Sequence, residues 1–242
     1  MLPLYAHPEW AERFPWLVQG TTGRGEPGDA FDFRLFGDTP SGVLIDRWRR
    51  LREATGCAGS VHARQVHGAE VLVHRHPVPG LLVAERYDGH ATREPGVLLT
   101  VSVADCVPIS LVDGERRAVA LLHGGWRGVA AGVLEQGITA LRAVAGAAPA
   151  DLWVHLGPAI CGECYEVGPE VFSALGLPEP AANTPIDLRA VLVRRAAAAG
   201  VAPARISVSE HCTRCGAASF YSHRAGCAER QLGLLGVRPA RP

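Results

Sequence analysis

The chain contains no lysine: all 24 of its basic residues are arginine. Schiff-base chemistry and lysine general bases are thereby excluded. It carries no net charge, because 24 acidic residues balance the arginines. A balanced chain does not capture nucleic acid or an anionic membrane by bulk electrostatics, so neither partner is expected, although a local basic pocket is compatible with the composition. Long apolar runs are also missing. The stretch from Val97 to Val112 is broken by Asp105 and Pro108, and it is too short and too polar to span a bilayer. The N-terminal MLPLYAHPEWAERF has neither the basic start nor the apolar centre of an export signal. A cytoplasmic location is therefore expected. The Gly-rich TTGRGEPG stretch lacks the Gly-Lys-Ser/Thr ending of a phosphate-binding P-loop. No fixed-period repeat, low-complexity tract or long linker is visible.

What is present is an ordinary globular composition, with 48% hydrophobic and 20% charged residues over 242 positions. That length buries a real core without a disulfide or metal. Seven cysteines and ten histidines are the chemical assets. In a reducing compartment, metal binding or nucleophilic roles outrank disulfides. Periodicity predicts an amphipathic helix over 41–54, with Thr39 as N-cap and Pro40 at its first position. Strands are predicted over 62–66, 71–74, 97–103, 107–112, 118–122, 152–156 and 205–209. Helices are predicted over 127–144, 168–175, 187–199 and 224–235. The segment from Gly20 to Pro40 reads as a long ordered loop over a site or a lid. Strands and helices mix without a strict βαβ rhythm, which predicts one mixed α/β (α+β) domain over residues 1–242 with layered sheets flanked by helices.

Three groups of residues could carry chemistry. The first is His67, Cys106 and His123, each at a predicted strand end, with Gly68 after the first and Gly124 and Gly125 after the last. Two imidazoles and one thiolate suit zinc and leave a fourth position open. Asp105 is then a candidate for proton transfer or for support behind the metal ligands. The same Cys106 and His123 could instead form a nucleophile pair. The second group is two C-x-x-C pairs, Cys161/Cys164 and Cys212/Cys215. These could make a tetrahedral zinc site, but their separation exceeds the usual ribbon spacing and compact knuckle residues are missing around Cys161. The third is arginine. Arg127 at a predicted helix start, and Arg224 in FYSHRAG, suit an anion such as phosphate.

Several segments occur in an order that resembles the laccase-domain family. They are QVHGAEV (65–71), DGHATREPGVLLTVSVADCVPISL (88–111), HGGWRGVAAGVLEQ (123–136), GPAICGECYEVGPEV (157–171), HCTRC (211–215) and FYSHRA (220–225). The resemblance spans about 15 to 236. This family, once described as multicopper polyphenol oxidases, comprises zinc-dependent purine nucleoside phosphorylases with adenosine deaminase and methylthioadenosine phosphorylase activity. It implies a fold similar to Cys/His toxin deamidases, a zinc site at His67, Cys106 and His123, and purine nucleosides and phosphate as substrates. Catalytic roles are expected for Asp105, Cys106 and His123, and substrate or phosphate contacts for Arg127, Arg24, Arg224 and Gln65. A monomer is implied. Cys164, Cys212 and Cys215 fit the family pattern without a catalytic role. Two alternatives stand beside this reading. One is a peptidoglycan-precursor editing hydrolase using the Cys/His pair. The other is a copper polyphenol oxidase, which is disfavoured because only His74-Arg75-His76 forms a His-x-His pattern. The sequence departs from the family at DFRLFGD (32–38), where Arg34 stands near the usual asparagine, and at Glu229-Arg230, where the family has Gly-Arg.

Overall fold

Alternating inward and outward residues build two six-stranded mixed sheets packed face to face. The computed structural model describes residues 3–26, 29–216 and 219–239. The first sheet runs in the order Leu4–Tyr5, Leu17–Thr22, Gln231–Val237, Val97–Val103, Gly59–Arg64, Gly80–Glu85. The second runs Ile206–Val208, Leu152–Leu156, Val107–Asp113, Ala118–Gly124, Gly89–Thr92, Val71–His74. Period-two alternation sorts neighbouring residues into different layers. Val97, Leu99 and Val101 meet Val112, Val119 and Leu121 between the sheets. Leu98, Leu232 and Leu234 face outward onto Trp48 and Leu51 of the helix Ser41–Thr55. On the far side, Ile109, Leu111, Ala120 and Leu122 pack under the helices Val133–Ala145 and Leu188–Ala198. The result is a mixed α/β architecture with helices outside both sheets, as the residue pattern predicts.

Four local expectations are corrected. The predicted helix over 224–235 is instead the strand Gln231–Val237, which lies between two partners in the first sheet. Its glycines permit close packing: a Cβ at Gly233 would sit 2.8 Å from Pro108, and one at Gly236 would sit 2.7 Å from the Val97 carbonyl oxygen. The predicted helix over 127–144 is broken into Trp126–Ala130 and Val133–Ala145, because Gly132 adopts φ +88°. The Ser41–Thr55 helix has Pro40 as its cap rather than Thr39, and no side chain caps it. The Gly20–Pro40 segment is only partly loop. Gly20 lies in the strand Leu17–Thr22, and Gly25–Glu26 pairs with Asp29–Ala30 as a hairpin whose tip, 27–28, lies outside the described residues. Gly23, Gly25 and Gly28 spell G-x-G-x-x-G, but the described residues on either side pair as short strands and open no helix to cradle a dinucleotide.

Candidate active site

Sheet register brings three distant residues together at one end of the second sheet's strands. Gly89 pairs with Leu122, which sets Asp88 beside His123. Val71 pairs in parallel with Gly89, so the loop before Val71 carries His67 to the same place. Val107 pairs with Gly124, so Cys106, one residue earlier, lies next to Gly125. One ligand atom from each of His67, Cys106 and His123 lies within 4.8 Å of the others. His67 is exposed, Cys106 half-buried and His123 buried. The glycine beside them is required for space. A Cβ at Gly125 would stand 2.9 Å from His67 Cδ2 and 3.2 Å from Cys106 Sγ.

Asp88 is one of the residues that the sequence did not single out. It is fully buried. Its Oδ2 accepts the backbone N–H groups of Val66 (3.0 Å) and Gly68 (2.8 Å), and its Oδ1 accepts that of His67 (2.9 Å). The same Oδ1 accepts from His123 Nδ1 at 2.9 Å. One carboxylate thus shapes the loop bearing His67, which is held at φ 58°, and orients His123 so that Nε2 is left for the site. Burial pushes the Asp88 carboxyl up, but the bonds from His123 and the backbone outweigh it and hold it below the ordinary value. Burial alone would raise the Cys106 thiol, yet His123 and then His67 bring it down to about 6. Burial alone would lower His123, yet Cys106 and Asp88 raise it to about 9. Without metal the pair is a thiolate facing an imidazolium. With both imidazoles neutral and the thiol ionised, the same atoms form a metal-binding His/Cys cluster with one side open.

Two clefts meet at this cluster. The larger, about 480 Å³, is walled by Arg34, Arg64, Arg230, Phe36 and His62. The smaller, about 270 Å³, is walled by Trp126, Arg127, Tyr165 and Arg224. His67, Cys106 and His223 line both. The exposed His223 was not singled out from the sequence, although FYSHRA contains it. His62 is buried, which pushes it down to about 4, and it pairs with Thr100 Oγ1 at 2.9 Å. It is therefore neutral and part of the wall.

The other sequence-predicted residues divide. Arg127 lies over Trp126, with its guanidinium carbon 4.2 Å from the ring centre. Arg224 is partly committed: Nη1 donates to the Glu166 carbonyl at 2.9 Å, and its guanidinium lies over Tyr165. Asp105 adjoins Cys106, but both its oxygens are engaged. Oδ1 accepts from Thr213 Oγ1 at 2.7 Å and Oδ2 from the Arg224 N–H at 2.7 Å. At φ 82° it works as a clasp that fixes the turn into Cys106, not as a free base. Gln65 lines the larger cleft, but its amide is spent on Ser102, donating to the carbonyl (2.9 Å) and accepting from the N–H (2.7 Å). Arg24 lines neither cleft. It donates to the Phe220 carbonyl (3.1 Å) and to Cys227 Sγ (3.2 Å), bracing a distant loop. His74 is buried against His90 while His76 is exposed, so the His-x-His pair builds no cluster.

The chain is similar to proteins of known name. It is 35% identical over 229 residues to purine nucleoside phosphorylase YlmD of Geobacillus stearothermophilus, covering 84% of this chain and 81% of that one. It is 36% identical over 181 residues to adenosine deaminase RL5 of an unknown prokaryotic organism, covering 68% and 69%. The crystal structure of YlmD from Geobacillus stearothermophilus superposes with a TM-score of 0.83 at 30% identity, covering 94% of each chain. No helix among the described residues is long and apolar enough to cross a membrane. The family model of the multi-copper polyphenol oxidoreductase laccases matches residues 29–237, and the chain belongs to that family.

Proposed function

We propose that this protein is a zinc-dependent purine nucleoside phosphorylase, converting adenosine, inosine, guanosine or methylthioadenosine and phosphate to the free base and the sugar 1-phosphate. The observation that carries the reading is the meeting of two clefts at one His/Cys cluster, the larger of about 480 Å³ and the smaller bearing Arg127 and Arg224. The relatives named for purine nucleoside phosphorolysis and adenosine deamination support the substrate class.

His67, Cys106 and His123 would hold the zinc, and the two imidazoles with a thiolate fit its donor preference. Such an ion supplies Lewis-acid polarisation, and acidifies water, at the position three protein ligands leave open. In phosphorolysis the C1′–N9 bond breaks with its electron pair passing to the purine, and a phosphate oxygen bonds to C1′. The transition state has oxocarbenium character, so the phosphate must be held close and the leaving base protonated. Arg127 and Arg224 bind the phosphate in the smaller cleft, with guanidinium forks suited to its oxygens. The larger cleft takes the nucleoside. His223 lines both clefts, and we assign to it the transfer of a proton to the departing base. Asp88 keeps His123 oriented, and Asp105 keeps Cys106 in place. Adenosine deamination, in which water replaces ammonia at purine C6, is the side activity we assign to the same clefts. Zinc is preferred over copper because the chemistry needs no electron transfer. A monomer in the cytoplasm, where the thiol ligand stays reduced, completes the proposal.

A second reading rests on one observation: the Cys106 thiol held at about 6 beside His123 is also equipped as a nucleophile, as an editing hydrolase would require. Protein of measured metal content is incubated with adenosine or inosine, with and without phosphate, and the products are separated by chromatography. Phosphate-dependent base release that disappears in Cys106→Ala supports the phosphorylase. No turnover of any purine nucleoside by zinc-loaded protein overturns it and favours the hydrolase.

A further inference from the structure

The two C-x-x-C pairs follow neighbouring parallel strands. Cys161 and Cys164 come after Leu152–Leu156, and Cys212 and Cys215 after Ile206–Val208. Parallel pairing delivers both loops to one end of the sheet. A bridge between Ala159 and Cys212 fixes their register, with the Thr213 N–H donating to the Ala159 carbonyl at 3.1 Å. Despite their wide separation in sequence, the four Sγ atoms lie within 4.8 Å of one another. All four are free thiols, and Cys161 Sγ stands 3.8 Å from Cys215 Sγ. Four sulfurs about 2.3 Å from a central zinc form a tetrahedron with edges of about 3.8 Å. A disulfide would draw one pair to about 2.05 Å and leave the other two thiols without a partner.

The backbone supplies a second, independent observation. Three N–H groups, those of Cys161 (3.3 Å), Arg214 (3.4 Å) and Cys215 (3.5 Å), all donate to Cys212 Sγ. Converging amides are a site for a charged sulfur, since a neutral thiol is a weak acceptor. The turn that aims them is tight. The Gly216 N–H donates to the Cys212 carbonyl at 3.1 Å, and a Cβ at Gly216 would stand 2.5 Å from that oxygen. The Cys-Thr-Arg-Cys-Gly turn thus aims its own amides at the first sulfur, as a metal-binding knuckle requires. The Cys161–Cys164 side closes by a 3-10 turn, with the Cys164 N–H donating to the Cys161 carbonyl at 3.1 Å.

We propose that Cys161, Cys164, Cys212 and Cys215 form a second metal site, a closed four-thiolate centre that takes zinc. Four protein ligands leave no open position, so the centre is structural. It clips together the two loops that brace the active site from behind. Thr213, between the knuckle cysteines, donates to Asp105, and the Ile160 N–H, beside Cys161, donates to the Asp105 carbonyl at 3.1 Å. Tyr165, next to Cys164, walls the smaller cleft.

The test is elemental analysis of protein purified under reducing conditions, alongside the Cys106→Ala and Cys212→Ser/Cys215→Ser variants. The wild type should hold two zinc per chain and each variant one. Should the double variant fail to fold, cobalt substitution of Cys106→Ala reads the centre directly: the thiolate-to-cobalt charge-transfer bands of a tetrahedral four-sulfur site should persist. A wild type with a single zinc that Cys106→Ala removes entirely would overturn the proposal. So would native protein in which all four thiols react freely with a thiol reagent, or a Cys161–Cys215 disulfide found by mass spectrometry under reducing isolation.

Discussion

Replacing Asp88 by asparagine should weaken the active site through its support rather than its ligands. The carboxylate accepts four bonds, two on each oxygen. An amide has one accepting oxygen, so either orientation strands two donors. One orientation leaves the Val66 and Gly68 N–H groups facing an NH2. The other leaves the His67 N–H and His123 Nδ1 without an acceptor. Each buried donor left unpaired costs about 1–3 kcal/mol, so Asp88→Asn should lower stability by about 2–6 kcal/mol. Losing the carboxylate behind a metal-bound histidine typically costs about 10–100-fold in metal affinity, or about 1.4–2.7 kcal/mol. Thermal unfolding of the metal-free proteins measures the first effect, and competition with a chromogenic chelator the second. The pH dependence has a definite sign. Because folding holds this carboxyl below its ordinary value, its contribution is complete above about pH 4 and is lost as pH falls through the lower folded value. Wild type and variant should converge only under strongly acidic conditions. Equal stability and equal metal affinity at pH 7 would refute the role given to Asp88.

Other consequences follow from the same geometry. Gly125→Ala places a methyl group against His67 and Cys106 Sγ, an overpacking cost of about 1–3 kcal/mol that should appear as about 5–150-fold weaker metal binding by chelator competition. Arg127→Ala removes charge-assisted bonds of about 1.5–3 kcal/mol and should raise the KM for phosphate about 10–100-fold, leaving the KM for nucleoside near wild type in steady-state kinetics. In metal-free native protein, iodoacetamide should alkylate Cys106 with a rate that rises through about pH 6 and levels off above it, and bound metal should suppress the reaction. A midpoint in the ordinary thiol range would remove the thiolate–imidazolium pair.

Much of the metal cluster was legible because ligand-type residues stand beside glycines at strand ends, and glycine there signals close approach. Asp88 was not legible. Its function lies in bonds to the backbone of a loop some twenty residues away, which only the pairing of Val71–His74 with Gly89–Thr92 creates. Asp105 and Gln65 lie beside the cluster, but sequence cannot show that Thr213, Arg224 and Ser102 occupy their polar atoms. The four-cysteine cluster was discounted for its long spacing. That spacing rule describes a single ribbon, whereas here each pair belongs to a different loop and the sheet joins them. The Gln231–Val237 strand was misread as helix because its leucines fit both periods. Glycines at 233 and 236, which weaken a helix and permit close sheet packing, carried the better signal.

The central claim is that phosphate, not water, receives the sugar. Zinc-loaded protein is given inosine and unlabelled phosphate in water enriched in oxygen-18, and the sugar product is weighed by mass spectrometry. The account predicts ribose 1-phosphate without heavy oxygen, formed in equal amount to the free base. Free ribose carrying oxygen-18, or intact inosine after exposure to fully loaded protein, would contradict it.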